Sequence, residues 1–484
     1  MSEAREATRG SGIRLATEAV SRALSVATTL AAMRLDPADF GVLVAVGGLA
    51  VVLAEAGDLG LQGLAVPALI ARRFSLRDLL RAKLVLAVLL GGVALVLPLL
   101  LGGLAPVAAA VLPASWRQTV LAAGGGSFLL TPLILYYGLA GWSEFLGVAL
   151  RAAGRRGQEA AVILCLRLSG LLATVLAIAA GARVWGLAWA QAASVVLPIV
   201  LGAWLLWLAS RAAPDSKEAA VGSVLRAAAP LAVNGGLALV SLRIEVIAIF
   251  VLKGSREAGL FGAALKLVES LNGIGAALLS GALPSLTREA LAGAGRSHQV
   301  RSRTAALVAL LGVPAAVGMV LQAPGVLHLV APPGYAGGAG ALRILAFAIA
   351  VLFVNTLLIH ALIAAGRADR LPRLTGVRVG VAVLLALTLV PALGGLGAAI
   401  GFLAAELLLA VLAGRSPAVA GFPVPVLRPV LLAALLSLPM AAVVGFLKAD
   451  AVPAIAAGVG VYAVTLGAAW RVRRLRPLLE GRRD

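Results

Sequence analysis

The residues able to do chemistry in this 484-residue chain are charged side chains set at helical spacing inside otherwise apolar stretches. Ser11, Arg14, Glu18, Arg22, Ser25 and Thr29 advance by three or four, which stacks them into one polar stripe on a helix. A charge at mid-bilayer costs about 2.5–3.5 kcal/mol on insertion scales, so such a stripe should face protein or a wet cavity. Arg14 is near enough to the helix end to snorkel, whereas Arg22 lies about 12 Å deeper. The bland alternative is an Arg14–Glu18–Arg22 ladder of i,i+4 ion pairs, which neutralises Glu18 and still leaves one positive charge.

Further along, Glu55, Asp58 and Gln62 share a helix face, and neither acid has a basic neighbour on its own helix. Their partner is an arginine of the first helix, a proton or a bound cation, and a structural salt bridge weighs equally with a functional site. Asn234, Ser241 and Glu245 align on another helix, with Arg243 pointing to nearly the opposite side. Lys266 and Glu269 form a local i,i+3 pair. Arg167 and Arg378 have no acid three or four residues away, and Arg378 sits near enough to a span end to be an alternative loop charge. The three histidines, His298, His328 and His360, lack metal-ligand spacing, and the single cysteine, Cys165, allows no intramolecular disulfide. No metal site and no cofactor are expected.

The elements that carry these residues are membrane spans. Hydrophobic residues make up 61% of the chain and charged residues 13%, about half the charged share of soluble proteins, and the mean hydropathy is +1.03. No cleavable signal peptide is expected, because Arg14, Glu18 and Arg22 interrupt the first apolar stretch. Fourteen apolar stretches follow, at 12–34, 42–66, 79–101, 119–141, 159–181, 186–208, 228–251, 259–284, 305–323, 341–363, 375–392, 396–413, 429–447 and 452–470. With the N-terminus cytoplasmic, 28 of the 41 Lys and Arg fall in inside loops and tails and 6 in outside loops, counting Arg81 and Lys83 with the loop before the third stretch. That asymmetry accounts for most of the net charge of +20 and predicts both termini in the cytoplasm, with no role for nucleic acid.

The chain is also duplicated. Ala149-Leu150-Arg151-Ala152-Ala153-Gly154-Arg155 returns as Ala361-Leu362-Ile363-Ala364-Ala365-Gly366-Arg367, 212 residues later. Pro67-Ala68-Leu69 and Pro284-Ser285-Leu286, Ala105-Pro106 and Ala323-Pro324, Arg167 and Arg378, and Gly186 and Gly397 keep nearly the same offset. The spacing predicts an all-α polytopic protein of two homologous six-helix lobes, 1–210 and 227–414. A cytoplasmic linker at 211–226 joins them, helices 13 and 14 follow at 428–470, and a basic cytoplasmic tail occupies 471–484. An even number of spans per repeat relates the halves by an axis along the membrane normal, which suits a transporter that rocks one half against the other.

Several motifs recur in one order. They are Leu35-Asp36-Pro37-Ala38-Asp39-Phe40-Gly41 after the first span, Asp58-Leu59-Gly60-Leu61, and Arg243-Ile244-Glu245 followed by Glu257-Ala258-Gly259-Leu260-Phe261. Gly334-Tyr335-Ala336 and Gly394 to Ala398 complete the series. Over about residues 10–413 the chain resembles the Wzx-like polysaccharide flippases of the multidrug/oligosaccharidyl-lipid/polysaccharide exporter superfamily. It departs from them in Glu245, where an Asp is usual, and in its low aromatic content of 5%.

The resemblance implies a cell-membrane flippase, not an enzyme, that moves a polyprenyl-(pyro)phosphate-linked oligosaccharide from the cytoplasmic to the outer leaflet by alternating access. Membrane lipids, a glycan polymerase and glycosyltransferases are the expected partners. Arginine suits such a head group because its planar fork binds phosphate oxygens bidentately and stays charged when desolvated. Arg14, Arg22, Arg243 and Lys266 are the expected phosphate contacts, with Arg167 and Arg378 supporting the field. Glu18, Glu55, Asp58, Glu245 and Glu269 balance charge or carry a coupling ion. The rivals are a cation-coupled multidrug or metabolite exporter of the same fold, a lipid II flippase, whose characteristic motifs are not found, a glycan polymerase or ligase, for which the outer loops are too short, and a scaffold protein.

Overall fold

The structure is a computed structural model. It describes residues 2–70, 73–111, 127–210, 219–292, 294–364, 367–416, 423–447 and 451–471, and among the side chains outside the description are those of 2–15, 233–235 and 274–304. Expectations resting on Ser11, Arg14, Asn234 and His298, on most of the linker and on the tail beyond Arg471 therefore fall outside it.

Helices dominate the described residues. In the first part these are α1 (Ser2–Ala32), α2 (Pro37–Asp58), α3 (Leu61–Ile70), α4 (Leu76–Val111), α5 (Leu130–Ala152), α6 (Arg156–Ala179), α7 (Val184–Ser194), α8 (Val196–Ser210) and α9 (Val221–Lys253). Then follow α10 (Ser255–Ala292), α11 (Ala294–Leu321), α12 (Ala323–Val330), α13 (Ala339–Ala364), α14 (Leu371–Leu393), α15 (Gly395–Gly414), α16 (Pro423–Phe446) and α17 (Ala451–Arg471). Among the described residues ten helical stretches are long and apolar enough to cross a membrane, or eleven if α11 and α12, bent by 84°, form one span. The protein is a multi-pass membrane protein of the all-α class. The stretches expected at 12–34, 228–251 and 259–284 are helical as α1, α9 and α10, and the one expected at 119–141 is described only from residue 127.

Local chemistry sets the ends of α2. Asp36 caps its start, its carboxylate accepting from the Ala38 N–H at 2.9 Å, and Pro37 occupies the first turn, where a missing N–H costs nothing. At the other end Leu59 and Gly60 adopt positive φ of 47° and 72°, which breaks the helix one residue after Asp58. The continuous helix expected at 42–66 is therefore two, and Asp58 bridges the break by accepting from the Gln62 N–H at 3.1 Å.

The residues form two compact units, Met1–Gly259 and Leu260–Asp484. In the first, α1 packs on α6, α2 on α5 and α9, and α5 on α4, α6, α7 and α8. Its interior includes Phe145, Leu61 and Leu79 in one cluster and Leu130, Leu133, Ile134 and Ala50 in another. In the second, α11 packs on α13 and α16, α13 on α15, α14 on α15, and α16 on α17. The Tyr462 hydroxyl ties α17 to the Leu310 carbonyl at 2.8 Å. The packing boundary and the repeat boundary differ: α9 begins the second repeat by sequence, yet it packs on α2, α3 and α4. The repeat records what was duplicated, whereas packing records which helices hold together in this conformation.

Candidate functional site: a charged cavity in the first unit

A cavity of about 260 Å³ opens among α2, α4, α5 and α6 of the first unit, and charged side chains wall it. Asp58 and Lys83, both in its lining, form an ion pair with side chains 5% and 6% exposed. The Lys83 ammonium also lies 5.8 Å from the centre of the Phe145 ring. Asp58 is held from both sides, by Lys83 and by the Gln62 N–H, while the Gln62 amide donates to the Gly141 carbonyl at 3.2 Å. This answers the question of what compensates Asp58: the partner is a lysine on α4. Lys83, counted from the sequence among loop charges, is instead buried in the helix packing.

The lining carries a second pair. Arg167 on α6 donates to Glu144 on α5 at 2.9 Å, and its Nε reaches the Ser21 hydroxyl on α1 at 3.4 Å. Both side chains keep about a third of their surface exposed, 32% and 38%, so this pair is wet where Asp58–Lys83 is dry. Glu55 lines the same cavity, half-buried, and makes no ion pair with a described residue. Three carboxylates and two bases thus face the space, an excess of one negative charge if all are ionised. Tyr136 and Tyr137 add edge-to-face rings with centroids 4.9 Å apart.

Other expected site residues lie elsewhere. Arg22 pairs with Glu18 at 2.7 Å, the i,i+4 contact read from the sequence, and both remain about half exposed. Arg243 lays its stem against α2, where a Cβ on Gly48 would stand 3.2 Å from the arginine Cδ. Ser241 and Glu245 on the same helix are 5% and 1% exposed. In the second unit Lys266 and Glu269 pair at 2.7 Å, as their spacing implies. Arg378 is no loop charge: it is 2% exposed, donates to Glu406 on α15 at 2.6 Å and lies 5.3 Å from the Phe402 ring centre. Asn355 on α13 donates to the same carboxylate at 2.6 Å. Among the described residues no group of His, Cys, Asp and Glu could hold a metal ion.

Sequence reasoning missed Lys83, Glu144, Glu406 and Asn355. Glu406 carried the signal that flagged Arg378, a lone charge inside an apolar run. Lys83 is counted by sequence with the loop before its stretch, and Glu144 lies just past the end of the stretch at 119–141, so neither stands out there.

No protein-family profile matches the chain, and no curated protein is similar to it in sequence. Solved structures are similar in fold. A lipid II flippase, MurJ, in an inward closed conformation superposes with TM-score 0.66 at 12% identity, over 97% of this chain and 99% of that one. An inward-facing multidrug resistance MATE family transporter of the MOP superfamily gives 0.58 at 16% identity, over 87% and 98%. The eukaryotic MATE transporter AtDTX14 gives 0.54 at 18% identity, over 88% and 99%. The fold is the one these transporters share, which agrees with the superfamily resemblance seen in the motifs.

Proposed function

We propose that the protein is an alternating-access flippase for a polyprenyl-(pyro)phosphate-linked oligosaccharide, carried from the cytoplasmic to the outer leaflet of the cell membrane, with both termini cytoplasmic. The observation that carries this reading is that guanidinium groups on apolar helices stay accessible: the Arg167 side chain, which lines the cavity, is 32% exposed and that of Arg22 40%. Arginines meant only to hold helices together would be sealed, as Arg378 is. A phosphate can compete with Glu144 for Arg167 and with Glu18 for Arg22, because exposed ion pairs are worth only about 0–1 kcal/mol. In this scheme Arg22 and Arg243 bind the phosphates and Arg167 supports them. A glycan polymerase and the glycosyltransferases that build the head group would be its partners. The full-length fold similarity to a lipid II flippase supports the same substrate kind.

The test is transport of a fluorescent polyprenyl-pyrophosphate sugar in proteoliposomes. Arg22→Ala and Arg243→Ala should abolish it without loss of folded protein, whereas Lys at either position should retain part. Full activity in the Ala variants would remove both residues from the mechanism. The excess carboxylate at Glu55 favours a second reading, a cation-coupled exporter of the same fold. Gradient-driven efflux of organic cations with no flipping of the lipid-linked sugar would select it.

A further inference from the structure

α4 is longer than a bilayer needs. Its 36 residues, Leu76–Val111, make a helix of about 54 Å at 1.5 Å per residue. The exposed Arg81 marks its charged inner end, and no charged residue follows Lys83 as far as Val111. Counted from Ala82, a hydrocarbon core of about 30 Å crossed at about 20° takes roughly 21 residues, which ends it near Gly102. The tip that remains, Gly103 to Val111, is as apolar as the span. Leu89, Val96, Leu100, Leu104 and Val107 advance by seven, four, four and three, so one exposed face runs from the span into the tip. Continued straight, that face would put Leu104 and Val107, 59% and 62% exposed, into water.

The fastening of α4 to α5 thins where the hydrocarbon ends. Pro98 lacks the N–H that would bond the Ala94 carbonyl, and Thr131 on α5 donates to that carbonyl instead at 2.8 Å. The Ser127 hydroxyl donates to the Pro98 carbonyl at 3.1 Å, and a Cβ on Gly102 would stand 3.2 Å from the Phe128 ring. One residue on, a Cβ on Gly103 would meet nothing within 4 Å. Beyond it Leu104, Pro106, Val107 and Ala110 are exposed, and among the described side chains of the tip Ala105 alone is buried. Pro106 removes a second N–H, the one due to the Gly102 carbonyl, so two glycines and a proline weaken this one turn.

The second repeat shows what the turn can do. Ala323 and Pro324 follow Ala105 and Pro106 by 218 residues, and Gln322 follows Leu104 by the same interval. At Gln322 the chain turns by 84°, so α12 runs nearly at right angles to the span it follows, in the direction of the membrane surface. It buries Ala323, Val326 and Leu327 and leaves Leu329 exposed.

We propose that in a bilayer the tip of α4, Gly103 to Val111, folds over at the Gly102–Pro106 turn and lies on the outer membrane surface as an interfacial helix. Leu104, Val107 and Val111 share a face by spacing, and that face enters the boundary between headgroups and acyl chains. The partner is lipid and not another protein, because the face continues the lipid-facing side of the span and carries no charge or hydrogen-bonding side chain for a protein to match. The loop-charge census makes this surface the outer one. The tip thus ties the rim of the first unit to the outer leaflet, whatever the substrate.

Single nitroxide labels at Leu104→Cys, Val107→Cys and Val111→Cys, in a Cys165→Ala background in lipid nanodiscs, report depth by their relative accessibility to oxygen, which enters lipid, and to a nickel chelate, which stays in water. The three should lie level to within about 3 Å, whereas a straight helix would carry the label outward by about 10 Å between positions 104 and 111. Gly103→Ala combined with Pro106→Ala, which puts helix formers at the weak turn, should convert the level profile into the graded one, while a label at Leu100→Cys keeps its depth and shows the span unmoved. A graded profile in the parent would overturn the proposal. So would labels shielded from both reagents, because the tip would then be covered by protein. A level profile that survives in the double variant would overturn the assignment of the fold to that turn.

Discussion

Replacing Lys83 by Met should destabilise the protein sharply, and adding Asp58→Asn should restore most of the loss. Met matches the lysine stem in length and can place its sulfur against Phe145, whose ring the ammonium now faces. What Met cannot do is balance Asp58, which is 5% exposed. Removing one partner of a buried pair costs about 3–5 kcal/mol, because the other charge is left behind. That is roughly a hundredfold to several thousandfold in the unfolding equilibrium. Asn at 58 removes the stranded charge yet keeps a side-chain oxygen to accept from the Gln62 N–H, a capping contact worth about 0.5–2 kcal/mol. The double variant should therefore come within about 1–2 kcal/mol of the parent, as neutral replacements of buried pairs often do. Denaturant unfolding of the purified protein in detergent, followed by tryptophan fluorescence, measures all three. If Lys83→Met were as stable as the parent, or the double variant no better than the single, the pair would not be the buried, mutually dependent contact described here.

The repeat-equivalent arginines should respond differently to one substitution: Arg378→Met should cost about 3–5 kcal/mol by stranding Glu406, whereas Arg167→Met should cost less than about 1 kcal/mol, since its pair is a third exposed. The same unfolding measurement compares them, and equal losses would contradict the wet and dry assignment. Glu55→Gln should leave stability within about 0.5 kcal/mol of the parent while stopping gradient-driven transport, if the unpaired acid carries the coupling ion; unchanged coupling in proteoliposomes would remove it from that role. Arg183→Ala, which breaks the Asp39 pair at a side chain 83% exposed, should leave thermal stability unchanged.

Much of the fold was legible because lipid makes composition and helical period dominate everything else. The polar face Glu55–Asp58–Gln62, the Glu18–Arg22 and Lys266–Glu269 pairs, and the opposed Arg243 and Glu245 all follow from 100° per residue on one helix. What period cannot reveal is the partner on another helix. Asp58 with Lys83, Arg167 with Glu144 and Arg378 with Glu406 are separated by 25, 23 and 28 residues, and each depends on which helices lie side by side. The break at Leu59–Gly60 was hidden for a different reason. Leu59 is no helix breaker by type, and its φ of 47° is tolerated where Asp58 ties the following turn.

The duplication makes the divergence between the halves informative. Arg167 and Arg378 occupy equivalent positions, yet the first takes its acid from the preceding helix, α5, and the second from the following one, α15. Asn355 on α13 lies 211 residues after Glu144, the same separation as Arg378 from Arg167. In the second unit an uncharged amide thus stands where the first has a carboxylate. It bonds the Glu406 that neutralises Arg378, closing a three-group network in which each residue is at most 3% exposed. In the first unit the carboxylate itself meets the arginine and leaves room for a cavity, where Glu55 adds one acid more than the bases balance. Two arginines at the same repeat offset are therefore sealed in the second unit and open to a cavity in the first. On the alternating-access reading proposed above, that difference would leave the first unit to hold the changing charge.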